Sequence, residues 1–205
     1  MTILHSVSPS LPLLPMTSTS RIPPELWRRI FELATHSPGL LDCNPSRSDL
    51  PSALVKQQEL HRLKESLGTK QNLVRVCKDW DALATEFLYQ SILVTRLEVL
   101  PGLLNALKRR SQSSGASRAR PGWWARRLDV VITNDYCEDA DYYTPLADLI
   151  RHFTNLSIVT MSIFLPLGGS NPSQLPVEII TSLVETCGPS LCSFDCSESA
   201  IRPCR

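Results

Sequence analysis

The chain has 205 residues with 21 Lys and Arg against 20 Asp and Glu, and this formal net charge of +1 excludes a general attraction to nucleic acid or anionic membrane. The composition, 42% hydrophobic and 20% charged, is that of a globular protein, and the best apolar run, residues 158–167, is too short for a membrane span and holds Ser162 and Pro166. Seven Cys, an odd number, with prolines at 9, 12 and 15 where a secretory signal would carry its apolar run, point to reduced thiols in the cytoplasm or nucleus.

Residues 1–20 are Ser, Thr, Pro and Leu without a period, and the expectation is a disordered leader. The stretch IPPELWRRIFELA follows at 22–34. Its prolines suit a first helical turn, where a missing N–H is unbonded anyway, and Glu25 suits the positive end of the helix. At about 100° per residue, Leu26, Trp27, Ile30, Phe31, Leu33 and Ala34 fill an arc of roughly 160°. A helix packed on one core needs little more than ~100°, so the surplus width asks for a second contact. Turn chemistry (Ser-Pro-Gly, Asn-Pro, Leu-Pro) then predicts a loop from His36. Residues 53–67 read as a surface helix with Leu60, Leu63 and Leu67 on one side, stopped by Gly68. From Leu73, a second amphipathic stretch places Val76, Cys77, Trp80, Leu83, Ala84, Phe87 and Leu88 on one face, with a break expected near residues 77–79.

SILV at 91–94 predicts a strand, and 97–107 a helix with Pro101 near its start. KRRSQSSGASRARPG at 108–122 reads as a basic, Ser/Gly-rich linker. Beyond it, the pattern predicts a strand at RRLDVVIT, a helix at 145–153, a strand at 156–164, a helix ending at Cys187 and a strand at 191–196. The last two units correspond residue by residue: Leu149, Ile150, Phe153 and Leu156 match Leu183, Val184, Cys187 and Leu191. Strand starts at 128, 156 and 191 lie about 28 and 35 residues apart, near the ~20–29-residue period of leucine-rich repeats with insertions. Each strand–helix unit of such an array buries its apolar face only against a neighbour. Three strands followed by SESAIRPCR, without a polar capping helix, predict a short array truncated at its C-terminal end.

Sites of chemistry are not expected. Cys187, Cys192, Cys196 and Cys204 lack the paired spacing of a zinc site, and Cys187 and Cys192 stand at apolar positions of the repeat. The acidic DYCEDADYY lacks the Gly and distal Glu of a calcium loop, and GGS at 168–170 lacks the Lys of a phosphate loop. His152 suits a helix C-terminus better than a catalytic role. The basic run from Lys108 to Arg127 has no acid within it and leaves nucleic-acid binding as the alternative reading. No catalytic residue, cofactor or metal is assigned.

Joined, the two amphipathic pieces resemble an F-box, in particular those of mushroom-forming fungi. Ile22, Pro23, Glu25, Leu26, Ile30 and Phe31 match its hydrophobic-Pro-x-Glu-Leu start. Val76, Cys77, Lys78, Trp80, Leu83 and Ala84 match its Val-Cys-Lys-x-Trp and Leu-Ala positions, and Phe-Leu-Tyr follows at 87–89. The match covers 22–35 and 67–94. A segment at 36–66 separates the halves, where the usual F-box has only a short link.

The resemblance implies a mainly α module at 21–95, then the helix and linker at 96–122, then α/β leucine-rich-repeat-like units at 123–205. It implies docking on the Skp adaptor, and through it the cullin, of a Skp–cullin–F-box ubiquitin ligase. The chain would then be a non-catalytic receptor that presents a protein substrate through its C-terminal half, with the loops at 134–143 and 165–175 as candidate readers. Expected adaptor contacts are Pro23, Leu26, Ile30, Phe31, Leu73, Val76, Cys77 and Trp80, some of which must be core instead. A truncated array would still bind the adaptor while targeting nothing. A sealed core around Leu26, Ile30 and Phe31 would count against docking.

Overall fold

The structure, a computed structural model, describes residues 22–43, 53–113, 121–132, 143–163 and 175–196. Three helices open it: α1 (Pro24–Thr35), α2 (Ala53–Val76) and α3 (Lys78–Tyr89). Strands and helices then alternate: β1 (Ser91–Val94), α4 (Leu100–Ser113), β2 (Arg127–Ile132), α5 (Tyr143–Arg151), β3 (Ile158–Ile163), α6 (Val177–Cys187) and β4 (Ser193–Cys196). The architecture is therefore helical at the N-terminus and α/β beyond, mostly helix with one small parallel sheet.

The four strands pair in parallel and in chain order, β1-β2-β3-β4. Parallel neighbours need a crossover, and right-handed crossovers taken in one direction set every helix on one face. Alternation along the strands gives that face Ile92, Val94, Leu128, Val130, Val159 and Met161, which are buried with Leu104 and Leu107 of α4, Leu146 and Ile150 of α5 and Ile179 and Leu183 of α6. Each strand opens on the same arrangement. The Gln90 carbonyl accepts N–H bonds from Arg126 and Arg127, that of Arg126 from Ser157 and Ile158, and that of Ser157 from Cys192 and Ser193. Glycine is required at Gly122, where an added Cβ would lie 1.9 Å from the His152 carbonyl oxygen. Only hydrogen lets the short turn Pro121–Trp124 approach the end of α5 so closely.

The helical module closes on aromatic rings. Trp80 of α3 stands 4.8 Å from both Trp27 and Phe31 of α1, edge-on to Phe31. Ala84 and Phe87 complete the buried set, with Leu73, Val74 and Leu83 packed against it. Arg28 pairs with Glu86 across the same contact, and the Ser66 hydroxyl donates to the Thr35 carbonyl at 3.0 Å.

Several sequence expectations change. Gly68 does not stop a helix: α2 runs unbroken through it to Val76. Packing of Leu63 on one side and of Leu73 and Val74 on the other outweighs the ~1 kcal/mol that one helical Gly costs. The break expected near residues 77–79 is at Cys77, whose backbone is extended. The first half of α2 does not stand apart but crosses the sheet face opposite α4–α6, where Lys56 pairs with Asp195 at 2.7 Å and Glu59 pairs with Arg127. The basic run is not all linker either. Residues 108–113 continue α4, and Arg110 bonds Asp81 at 3.0 Å and Thr85 at 2.7 Å. Arg127 is buried beside Asp129 at 2.6 Å. Burial disfavours its charge, but the Asp129 and Glu59 carboxylates outweigh that and hold the guanidinium protonated. The leader, the acidic stretch at 135–142, GGS, Cys204 and nearly all of both candidate reader loops lie outside the described residues.

Candidate interaction face

α1 carries two apolar stripes. Trp27 and Phe31, four residues apart, point inward with Thr35. Leu26, Ile30 and Leu33, at i, i+4 and i+7, form a second stripe turned outward. They are 56%, 46% and 63% exposed, and Ile22, just before the helix, is exposed as well. Arg29 and Glu32, paired with each other, border this stripe. A side chain of Leu type left in water forgoes ~1.5–3 kcal/mol of burial, and three such side chains in a row on a folded helix form a contiguous apolar patch rather than scatter.

α1 and the second half of α2 run antiparallel. Thr35 meets Ser66 at one end and Trp27 meets Trp80 at the other. The α2–α3 junction therefore lies toward the Pro24 end of α1, and there Val76 is 59% exposed with Cys77 exposed beside it.

Of the eight residues named from sequence, Pro23, Leu26, Ile30, Val76 and Cys77 are at the surface. Leu73 and Trp80 are half-buried against the module core. Phe31 is 1% exposed and belongs to that core, because one residue beyond Ile30 the helix has turned about 100° inward. Leu33 and Ile22 were left out of the sequence set and belong to the outward stripe; the spacing of Leu33 from Leu26 and Ile30 was the available signal.

The remaining candidates behave as small structural groups. The Cys187 thiol is buried and donates to the Phe153 carbonyl at 2.9 Å, and burial pushes its pKa up to about 11. Cys192, read from sequence as an apolar repeat position, is exposed, because the chain there turns onto the outer strand. The His152 ring lies 3.0 Å from the Asp148 carbonyl in the last turn of α5, in a capping position. Among the described residues no group of three or more His, Cys, Asp and Glu side chains is placed to hold a metal, and no helix is long and apolar enough to cross a membrane.

No protein-family model, curated protein or solved structure matches the chain.

Proposed function

We propose that the chain is an F-box substrate receptor, docking the Skp adaptor of a Skp–cullin–F-box ubiquitin ligase through α1 and the α2–α3 junction. One observation carries the reading. The helical module completes its own core with Trp27, Phe31 and Trp80, yet Leu26, Ile30, Leu33 and Val76 remain in solvent. This is the arrangement in which the two motifs at 22–35 and 67–94 serve a partner as well as the fold. Aliphatic anchors bordered by Arg29 and Glu32 have the core-and-rim character of a protein interface. The alternating strand–helix units, each opened by the same shared carbonyl, support a leucine-rich-repeat-like second half. Because α2 crosses the sheet face at Arg127 and Asp195, substrate reading falls to the strand-end loops rather than to that face. The receptor performs no chemistry; it raises the local concentration of substrate near the ubiquitin-charged enzyme and orients it.

The test is co-expression with a fungal Skp adaptor followed by gel filtration. Wild type is expected to elute as a one-to-one complex. The double variant Leu26→Asp with Ile30→Asp is expected to lose it while keeping its own melting temperature, since both side chains are already in water. A folded wild type that ignores the adaptor refutes the reading.

A further inference from the structure

A cavity of about 610 Å³ lies where the helical module meets the first strand–helix unit, between α1, the loop 36–42, the end of α3 and the turn Pro121–Trp124. Its volume is that of a small-molecule site. Lys70, from the middle of α2, lines it and is 2% exposed. Among the described residues no hydrogen-bond or ion-pair partner meets its ammonium.

The charges around the cavity explain why that ammonium has no partner among the described residues. Arg28 is taken by Glu86 and Arg29 by Glu32. The other carboxylates on the lining, Glu25 and Asp42, are exposed, as is Arg126. The lining thus includes a buried cation, and the described carboxylates that share that lining are paired with arginines or solvated. Lysine is almost never buried without a counter-charge, because leaving water is costly for an ammonium. Another part of the lining is different. Trp123, 55% exposed, and Trp124, half-buried, lie on the same lining with the Arg126 side chain beside them in sequence. Exposed flat apolar rings and a buried cation on one lining complement one kind of molecule.

We propose that this cavity binds a small organic anion with a flat apolar body, its carboxylate or phosphate on Lys70 and its body against Trp123 and Trp124. An anion there supplies a counter-charge that no described residue provides, and its body covers indole surface now in water. Burial pushes the Lys70 pKa down to about 8, so at neutral pH the group is still mostly an ammonium and able to bind the anion. The site joins α1 and α2 to the turn before β2, so an occupied cavity braces the helical module against the sheet. It is a separate site from the apolar docking stripe of Leu26, Ile30 and Leu33, although Arg29 and Glu32, which border that stripe, also line the cavity.

The probes are benzoate and phenyl phosphate at millimolar concentration, with neutral benzamide as control, read by thermal melting of the full chain. One or both anions are expected to raise the melting temperature, and which of them does so identifies the headgroup. Benzamide is expected to leave it unchanged. Lys70→Met keeps the length of the side chain without the charge, and is expected to fold and to need at least tenfold more anion for the same rise. Acylation of Lys70 followed by mass spectrometry provides a second reading, and the effective anion is expected to slow it at this lysine alone. Three results overturn the proposal: no shift with either anion, an equal shift with benzamide, or an undiminished response in Lys70→Met.

Discussion

At one end of the molecule α1 turns Leu26, Ile30 and Leu33 to solvent; at the other, α6 does the same with Val177, Ile180 and Val184, beside an exposed Phe194 on β4. The two faces have similar composition and different origins. In α1 the outward stripe is additional to a filled inner one, since Trp27 and Phe31 already meet Trp80. In α6 the inner stripe of Ile179, Leu183 and Cys187 is also filled, but the outward one repeats a contact made elsewhere in the fold. Ile180 and Val184 correspond to Leu146 and Ile150 of α5, both fully buried, and Phe194 pairs in register with the buried Val159. One unit hides these positions and the next shows them, because among the described residues no further unit covers α6. An exposed apolar stripe therefore has two meanings. On α1 it is surplus to the fold and forms the proposed docking surface; on α6 it is the fold's own internal contact turned outward.

Paired substitutions separate the two cases. The largest contrast is Ile150→Asp against Val184→Asp, one repeat position in two settings. At Ile150 a carboxylate enters a fully buried site, and a loss of about 4–5 kcal/mol is expected, enough to abolish folding of a marginal domain. At Val184, 66% exposed, the expected change in urea denaturation is within about 0.5 kcal/mol. A large loss at Val184 would mean that the folded chain covers this face, and the comparison would fail. Next in size is Phe31→Ala against Leu26→Ala. Removing the Phe31 ring from between Trp27 and Trp80 is expected to cost about 3–5 kcal/mol. Truncating Leu26 is expected to cost about 0.5 kcal/mol or less, its effect appearing only in adaptor binding. Equal losses would make Leu26 a fold residue and remove the case for a docking stripe.

These contrasts also mark what the sequence could disclose. Periodicity was enough for α1, α3 and all four strands, because amphipathic stripes and alternating strands are local patterns. Gly68 misled because propensity is a weak signal beside packing, and the contacts that hold α2 together come from α1, α3 and the sheet. Arg127 looked like part of a solvated basic run, since its partners are Asp129 two residues along and Glu59, which only the crossing of α2 over the sheet brings near. Trp27 and Leu26 are neighbours in sequence with opposite fates, and the arc alone did not divide them. Lys70 carried no signal at all: nothing in QNLVRV or its flanks says that this lysine, among several on α2, is the buried one.

Lys70 gives a third, smaller effect, at the joint between the two regions. Its pKa falls from 10.5 in the unfolded chain to about 8 in the fold because burial disfavours the charge. Below pH 8 both states bind the proton and the native state bears the full desolvation cost, ~3 kcal/mol as an upper figure at ~1.4 kcal/mol per pKa unit. Between pH 8 and 10.5 the unfolded chain holds more protons than the native one, so this group's contribution to stability rises with pH. Cys187, raised to about 11, acts in the opposite sense above pH 9. The quantity to measure is therefore the stability of Lys70→Met minus that of wild type, in which the other titrations largely cancel. It is expected to favour the variant by up to ~3 kcal/mol at pH 7 and to shrink toward zero by pH 10.5. A difference that stays flat across this range would mean that Lys70 is solvated or paired.

The smallest effect tests what connects the two regions. α2 reaches from the sheet, where Lys56 and Glu59 are held, to the exposed Val76. At 1.5 Å per residue its 24 residues span about 36 Å, so the helix sets the distance between the proposed docking stripe and the sheet. Gly68 is its weakest link, yet a Cβ there would find no atom within 4 Å. With a helical backbone and open space, Gly68→Ala has no strain to introduce and reduces the freedom of the unfolded chain. A gain of about 0.5–1 kcal/mol is expected, which is about 2–4 °C in melting temperature for a chain of this size. Adaptor affinity is expected to stay the same, because the adaptor would meet an end of α2 whose position the helix already fixes. If the variant instead lost affinity without losing stability, α2 would have to bend at Gly68 for docking, and the distance between the two regions would be adjustable rather than set.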